Sequence, residues 1–88
     1  MSFKEYSRFS ADEAKKIGDT LGIPWDNVKL EQFRVGLEVE LEHGTRDPET
    51  NVTNDDPMQT GKIAWAHIKE IPDYYTHLIE MEERYEPY

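Results

Sequence analysis

Leu30-Glu31-Gln32-Phe33-Arg34-Val35-Gly36-Leu37-Glu38-Val39-Glu40-Leu41-Glu42-His43-Gly44 decides the fold, because its apolar residues fit two patterns. Phe33, Val35, Leu37, Val39 and Leu41 alternate strictly, as in a half-buried strand. Leu30, Phe33, Leu37 and Leu41 also lie within about 80° on a wheel turning roughly 100° per residue, and Gly44 is a good C-terminal stop. The helix is the self-consistent choice. No other segment alternates convincingly, and a strand without a partner leaves its backbone N–H and C=O groups unsatisfied. A helix over 30–43 makes the whole chain all-α.

Upstream, Ser10-Ala11-Asp12-Glu13 has the form of a capping box, with Phe9 and Ala14 at the positions of a hydrophobic staple. Ala14, Ile17 and Leu21 follow at helical spacing and Gly22 supplies a left-handed stop, so a first helix is predicted over 11–21. Ile23-Pro24-Trp25-Asp26-Asn27 is a turn whose Ile23 and Trp25 fold back on the core. Downstream, 45–56 is a long loop rich in Asp, Asn and Thr, and Asn54-Asp55-Asp56-Pro57 starts the next helix. That third helix is predicted over 58–71, stopped by Pro72. A fourth opens at Asp73-Tyr74-Tyr75 and ends near Glu86-Pro87. Tyr74, Leu78, Met81 and Tyr85 form one stripe and are expected to be its buried face.

The 88 residues allow one domain, expected over 1–88, with a small core and little room for an enclosed substrate cleft. No cysteine is present, which removes disulfide scaffolds, zinc ribbons and thiol catalysis and agrees with a reducing compartment. Met1 to Tyr6 carry Lys4 and Glu5 where a signal peptide needs an apolar run. The expectation is therefore a cytoplasmic protein without a membrane span. A net charge of -9, with no clustering of basic residues in sequence, makes nucleic acid a poor partner.

Few constellations suggest chemistry. Asp47 to Asp55 places side-chain oxygens at alternate positions like a calcium-binding EF-hand loop. Val52 stands where that loop needs glycine and Met58 where it needs glutamate, so a turn held by Asx hydrogen bonds is the better reading. Glycine-flanked serines and phosphate-cradling glycine loops are missing, so no catalytic residue is assigned. More informative are Glu40 and His43, three residues apart on one helix, and His67 and Glu70, the same pair reversed on the next. Antiparallel packing would bring them to one level as ligands for zinc, iron or manganese.

Wheel positions place Glu40 within about 40° of the apolar stripe while Glu38 and Glu42 point away. His67 falls among Thr60, Ile63, Ala64 and Ile68. Lys62, Trp65 and Lys69 lie opposite. The plainer alternative is a buried hydrogen-bonded pair of Glu40 and His67, joined by Tyr74 or Tyr75, with His43 closing its helix and Glu70 solvated. His77 is read as a surface residue. Trp65, with Tyr74 and Tyr75, is the candidate interaction surface, for a protein partner or a second copy, although four-helix packing could also cover Trp65.

Val39-Glu40-Leu41-Glu42-His43-Gly44, Asn51-Val52-Thr53-Asn54-Asp55-Asp56-Pro57, His67-Ile68-Lys69-Glu70-Ile71-Pro72-Asp73-Tyr74-Tyr75 and Leu78-Ile79-Glu80-Met81-Glu82 carry a resemblance. With them the chain resembles a family of small bacterial and phage domains of unknown function, from about Phe9 to Glu83. Ile68 stands where leucine is usual. The resemblance implies a helical fold and a focus on Glu40, Glu42, His43, His67, Glu70, Asp73, Tyr74 and Tyr75, but no reaction, cofactor or partner. The expectation is a small non-enzymatic binding module of about four short helices, with transition-metal binding at Glu40, His43, His67 and Glu70 as the alternative.

Overall fold

Ser10 starts the first helix as its sequence predicts. Its hydroxyl accepts from the amide of Glu13, whose carboxylate accepts from the amide of Ser10, and the helix runs Ala11–Leu21 (α1) until Gly22 turns it off at φ 83°. The computed structural model describes residues 8–85. They form α1, α2 (Leu30–Glu40) continued by a 3-10 turn (Leu41–His43), α3 (Pro57–Glu70) and α4 (Tyr74–Tyr85), with no strand among the described residues. The expectations for Met1 to Tyr6 and for a helix end near Glu86-Pro87 lie outside that range. None of the helices is long and apolar enough to cross a membrane.

α2 is the axis of the fold. It packs against α1, α3 and α4, and eight of its eleven residues are buried, which removes the strand-or-helix ambiguity. A helix covered on nearly every side needs apolar residues all round, so Phe33, Val35 and Leu37, each fully buried, alternate without forming a strand. Fully burying each such side chain contributes roughly 1.5–3 kcal/mol. Gly36 lets the neighbours close in. A Cβ there would meet the Tyr75 ring at 2.6 Å and the Ala64 Cβ at 3.0 Å. Gly44, expected as a helix stop, keeps φ at -100°, and a Cβ on it would collide with the Asp55 carboxylate.

Three polar side chains of α2 are buried, and each fastens a neighbouring element. The Gln32 amide oxygen accepts from the Tyr75 amide (3.2 Å) and its nitrogen donates to the Thr76 hydroxyl (2.6 Å), so Gln32 satisfies one first-turn amide of α4, the others going to the Ile71 and Asp73 carbonyls. Glu38 accepts from the Phe9 amide (2.7 Å) with Arg34 4.0 Å away, while Arg34 also donates to the Phe9 carbonyl (3.2 Å). This corrects the expectation that Glu38 points away. The wheel assumed one covered face, whereas the chain entering α1 covers a second. Glu40 fastens α3 and α4.

α4 corrects a second expectation. Its buried residues are Tyr75 and Ile79. Tyr74 and Leu78 are half-buried, Met81 is 46% exposed and Tyr85 81% exposed. The corner at Pro72 and the Gln32 cap fix the rotation of the helix, and they choose the stripe beside the one predicted. The loop from Gly44 is held by the Asx bonds anticipated for it. Asp55 accepts from the Thr45 amide and hydroxyl, Asn51 from the Asn54 amide, and Asp56 from the Met58 amide at the start of α3. Asn54 and Asp55 take positive φ (52° and 63°), a conformation Asn and Asp tolerate better than most residues.

Candidate functional site

Where α2, α3 and α4 meet, Glu40, His67, Tyr74 and Tyr75 form one cluster. The Tyr75 hydroxyl donates to Glu40 Oε2 (2.9 Å), and His67 Nδ1 lies 3.1 Å from that hydroxyl and 3.2 Å from the same carboxylate oxygen. Because the single hydroxyl proton goes to Glu40, both oxygens facing Nδ1 are acceptors, and the network assigns the imidazole proton to Nδ1. The other ring nitrogen, Nε2, makes no hydrogen bond within this cluster, and the His67 side chain is 35% exposed. Tyr74 stacks on His67 at 4.4 Å between ring centres and 8° between planes. Burial first, and the Glu40 charge second, push the Tyr75 hydroxyl far above its ordinary value, so it stays a proton donor.

The candidate metal ligands are only partly brought together. His43 Nε2 stands 4.0 Å from Glu40 Oε1 and is more than half exposed, while Glu70 is exposed at the end of α3. Among the described residues no group of three or more His, Asp and Glu side chains is placed to hold a metal ion. The arrangement found is the hydrogen-bonded pair read as the plainer alternative, with Tyr75 as its third member. His77 is exposed, between Asp73 (2.9 Å) and Glu80 (3.4 Å).

Two shallow grooves flank the corner between α3 and α4. On one side Trp65, Ile68 and Lys69 face Pro24, Asn27 and Val28 from the first turn, with Pro72 closing the end. Trp65 is half-buried against the core, so it does not stand opposite the apolar face as expected; one part packs inward and the rest lines this groove, with the Lys69 ammonium 5.0 Å from its ring centre. Asn27 and Pro72 continue it into a polar hollow with Lys29, Gln32, Asp73 and Thr76. On the other side Ile71, Tyr74, His77, Leu78 and Met81 line an apolar groove, with Ile71 45% exposed. Of the expected interaction residues, Trp65 and Tyr74 thus reach the surface on opposite sides of the corner, and Tyr75 lies buried between them.

A family model described as protein of unknown function (DUF5661) matches residues 14–84. The chain belongs to this family. No curated protein and no solved structure matches it. The DUF5661 match spans the Glu40 cluster and both grooves, and among the positions the resemblance singled out, Glu40, His43, His67, Tyr74 and Tyr75 meet around the cluster. Of the others, Glu42 lies 3.5 Å from Arg46 and Asp73 opens α4 beside His77. Sequence reasoning missed Gln32, Glu38 and the proline-walled groove. The available signal for the first two was a polar residue inside an otherwise apolar helix with no other use for it.

Proposed function

We propose that this domain is a small protein-binding module whose contact surface is the corner between α3 and α4. The observation that carries the reading is the pair of grooves meeting there, with Ile71 lining one and Pro72 the other. Only 36% of the chain is hydrophobic and its core is small, yet Ile71 and Met81 stand nearly half exposed beside Tyr74 and Leu78. Contiguous apolar surface of this kind is what an interface core uses. The tight packing behind it, with Tyr75 held by Glu40 and Gln32, supplies the rigidity that keeps the ordering penalty of binding low.

The test is site-specific photo-crosslinking in cells, with the photoreactive residue at position 71 and, as control, at position 49 in the loop. A single adduct formed from 71 only, and lost in Met81→Asp at unchanged melting temperature, is the expected result. Its mass distinguishes a second copy from another protein. Matching adducts from both positions, or none from 71, contradict the proposal.

A further inference from the structure

In the lining of the Trp65 groove and of the hollow that continues it, two lysines, Lys69 and Lys29, stand against one carboxylate, Asp73, although the chain as a whole is acidic. The sequence holds 19 acidic and 10 basic residues, and several of the described cations lie beside carboxylates: Lys15 at 3.2 Å from Asp19, Arg34 at 2.6 Å from Glu31, Arg46 at 3.5 Å from Glu42. Lys29, Lys62 and Lys69 are exposed and carry no ion pair among the described residues, as is also true of Arg8, Lys16 and Arg84 elsewhere on the surface. Two of the first three line one strip of surface, and the third stands on the same helix as Trp65. Lys69 lines the Trp65 groove, Lys29 lines the hollow that continues it, and Lys62 precedes Trp65 by one turn of α3. The hollow also holds the Asp73 carboxylate, hydrogen-bonded to His77 at 2.9 Å on the side of α4.

Resting on the binding reading above, we infer that the Trp65 groove takes an extended acidic peptide segment. Such a segment would lay an aliphatic or proline side chain against Trp65, Ile68 and Pro24 and carry carboxylates toward Lys69 and Lys29. The hollow beyond offers Asn27 for hydrogen bonds to the peptide backbone. The net charge of -9 does not forbid this, because at physiological salt a charge acts over about 8 Å and a short peptide senses chiefly the lysines beside it. A nucleic acid fits less well. Its phosphates continue past the lysines and meet the acidic remainder of the surface.

The probe is nuclear magnetic resonance titration of the full chain, in which the indole N–H groups of Trp25 and Trp65 are separate reporters. Three ligands are compared: the peptide Glu-Glu-Pro-Leu-Glu-Glu, its counterpart Lys-Lys-Pro-Leu-Lys-Lys, and oligothymidine. The expected result is that the acidic peptide alone shifts the Trp65 indole and the Lys29 and Lys69 amides while leaving the Trp25 indole unmoved. Reversing the charge by Lys69→Glu, an exposed position that does not endanger folding, should weaken binding about tenfold. Equal or tighter binding of the basic peptide overturns the charge assignment and leaves the corner reading standing. Shifts with oligothymidine alone, or with none of the three, overturn the inference, while crosslinking from position 71 decides the corner reading separately.

Discussion

α2 and α4 are nearly equal in length, eleven and twelve residues, and bury very different shares of themselves: eight residues against two. α2 spends its apolar residues on three neighbours and even its buried Gln32, Glu38 and Glu40 on fastening them. α4 carries more apolar surface than its inner stripe of Tyr75 and Ile79 uses. The excess, with Ile71 just before the helix, faces out. A helix at the centre of a small fold is thus shaped by packing on every side, whereas one at its edge is free to carry a surface for something else.

The contrast breaks most visibly at Tyr75, the one large residue of α4 that is fully buried. Tyr75→Ala opens a cavity beside Gly36 and strips Glu40 of its hydroxyl partner; a loss of about 3–5 kcal/mol is expected by urea unfolding. Next comes Gly36→Ala. Alanine favours a helix interior over glycine by about 1 kcal/mol, yet here its methyl would enter the Tyr75 ring. A net loss of roughly 1–3 kcal/mol is expected, and a gain would show that α2 and α4 are not closely packed.

Tyr75→Phe sharpens the comparison by keeping the ring and removing only the hydrogen bonds to Glu40 and His67. About 1 kcal/mol is expected at neutral pH. Its pH signature is more specific. The folded Tyr75 holds its proton above the ordinary tyrosine value of about 10, so the native state binds more protons than the unfolded one at higher pH. That stabilisation is complete below about pH 10 and is lost as pH rises beyond it. The phenylalanine variant should therefore lose less stability than the parent between about pH 10 and 11.5, measured by unfolding at each pH. The smallest effect belongs to the outer stripe: Ile71→Ser and Met81→Ala should each change stability by less than about 0.5 kcal/mol.

Much of the fold was legible where local chemistry decides the structure. α1 runs over the span its capping box and Gly22 imply, and α3 is displaced by a single residue at each end from the expected 58–71. The pairing of Glu40 with His67 was also readable, because a carboxylate and an imidazole on core faces need partners. Rotation was not. The outward turn of Met81 and Tyr85 follows from the Pro72 corner and from Gln32 capping α4 across 43 positions of sequence, and no local pattern carries that. Glu38 was misplaced for a similar reason, since its partner is the backbone of Phe9, outside any helix wheel.

On the proposed function, the exposed apolar side chains at the α3–α4 corner serve contact while those elsewhere do not. With the partner found by crosslinking in hand, the decisive measurement is its Kd for Met81→Asp beside Val52→Asp, since Val52 is an even more exposed apolar residue (69%) on the loop. Met81→Asp is expected to weaken binding by about a hundredfold, the size of an interface hot spot, and Val52→Asp by less than about twofold, within the range of a surface substitution away from any contact. Both melting temperatures should stay at the parent value. Equal losses in the two variants, or none at Met81, would contradict the claim that the corner is the binding surface.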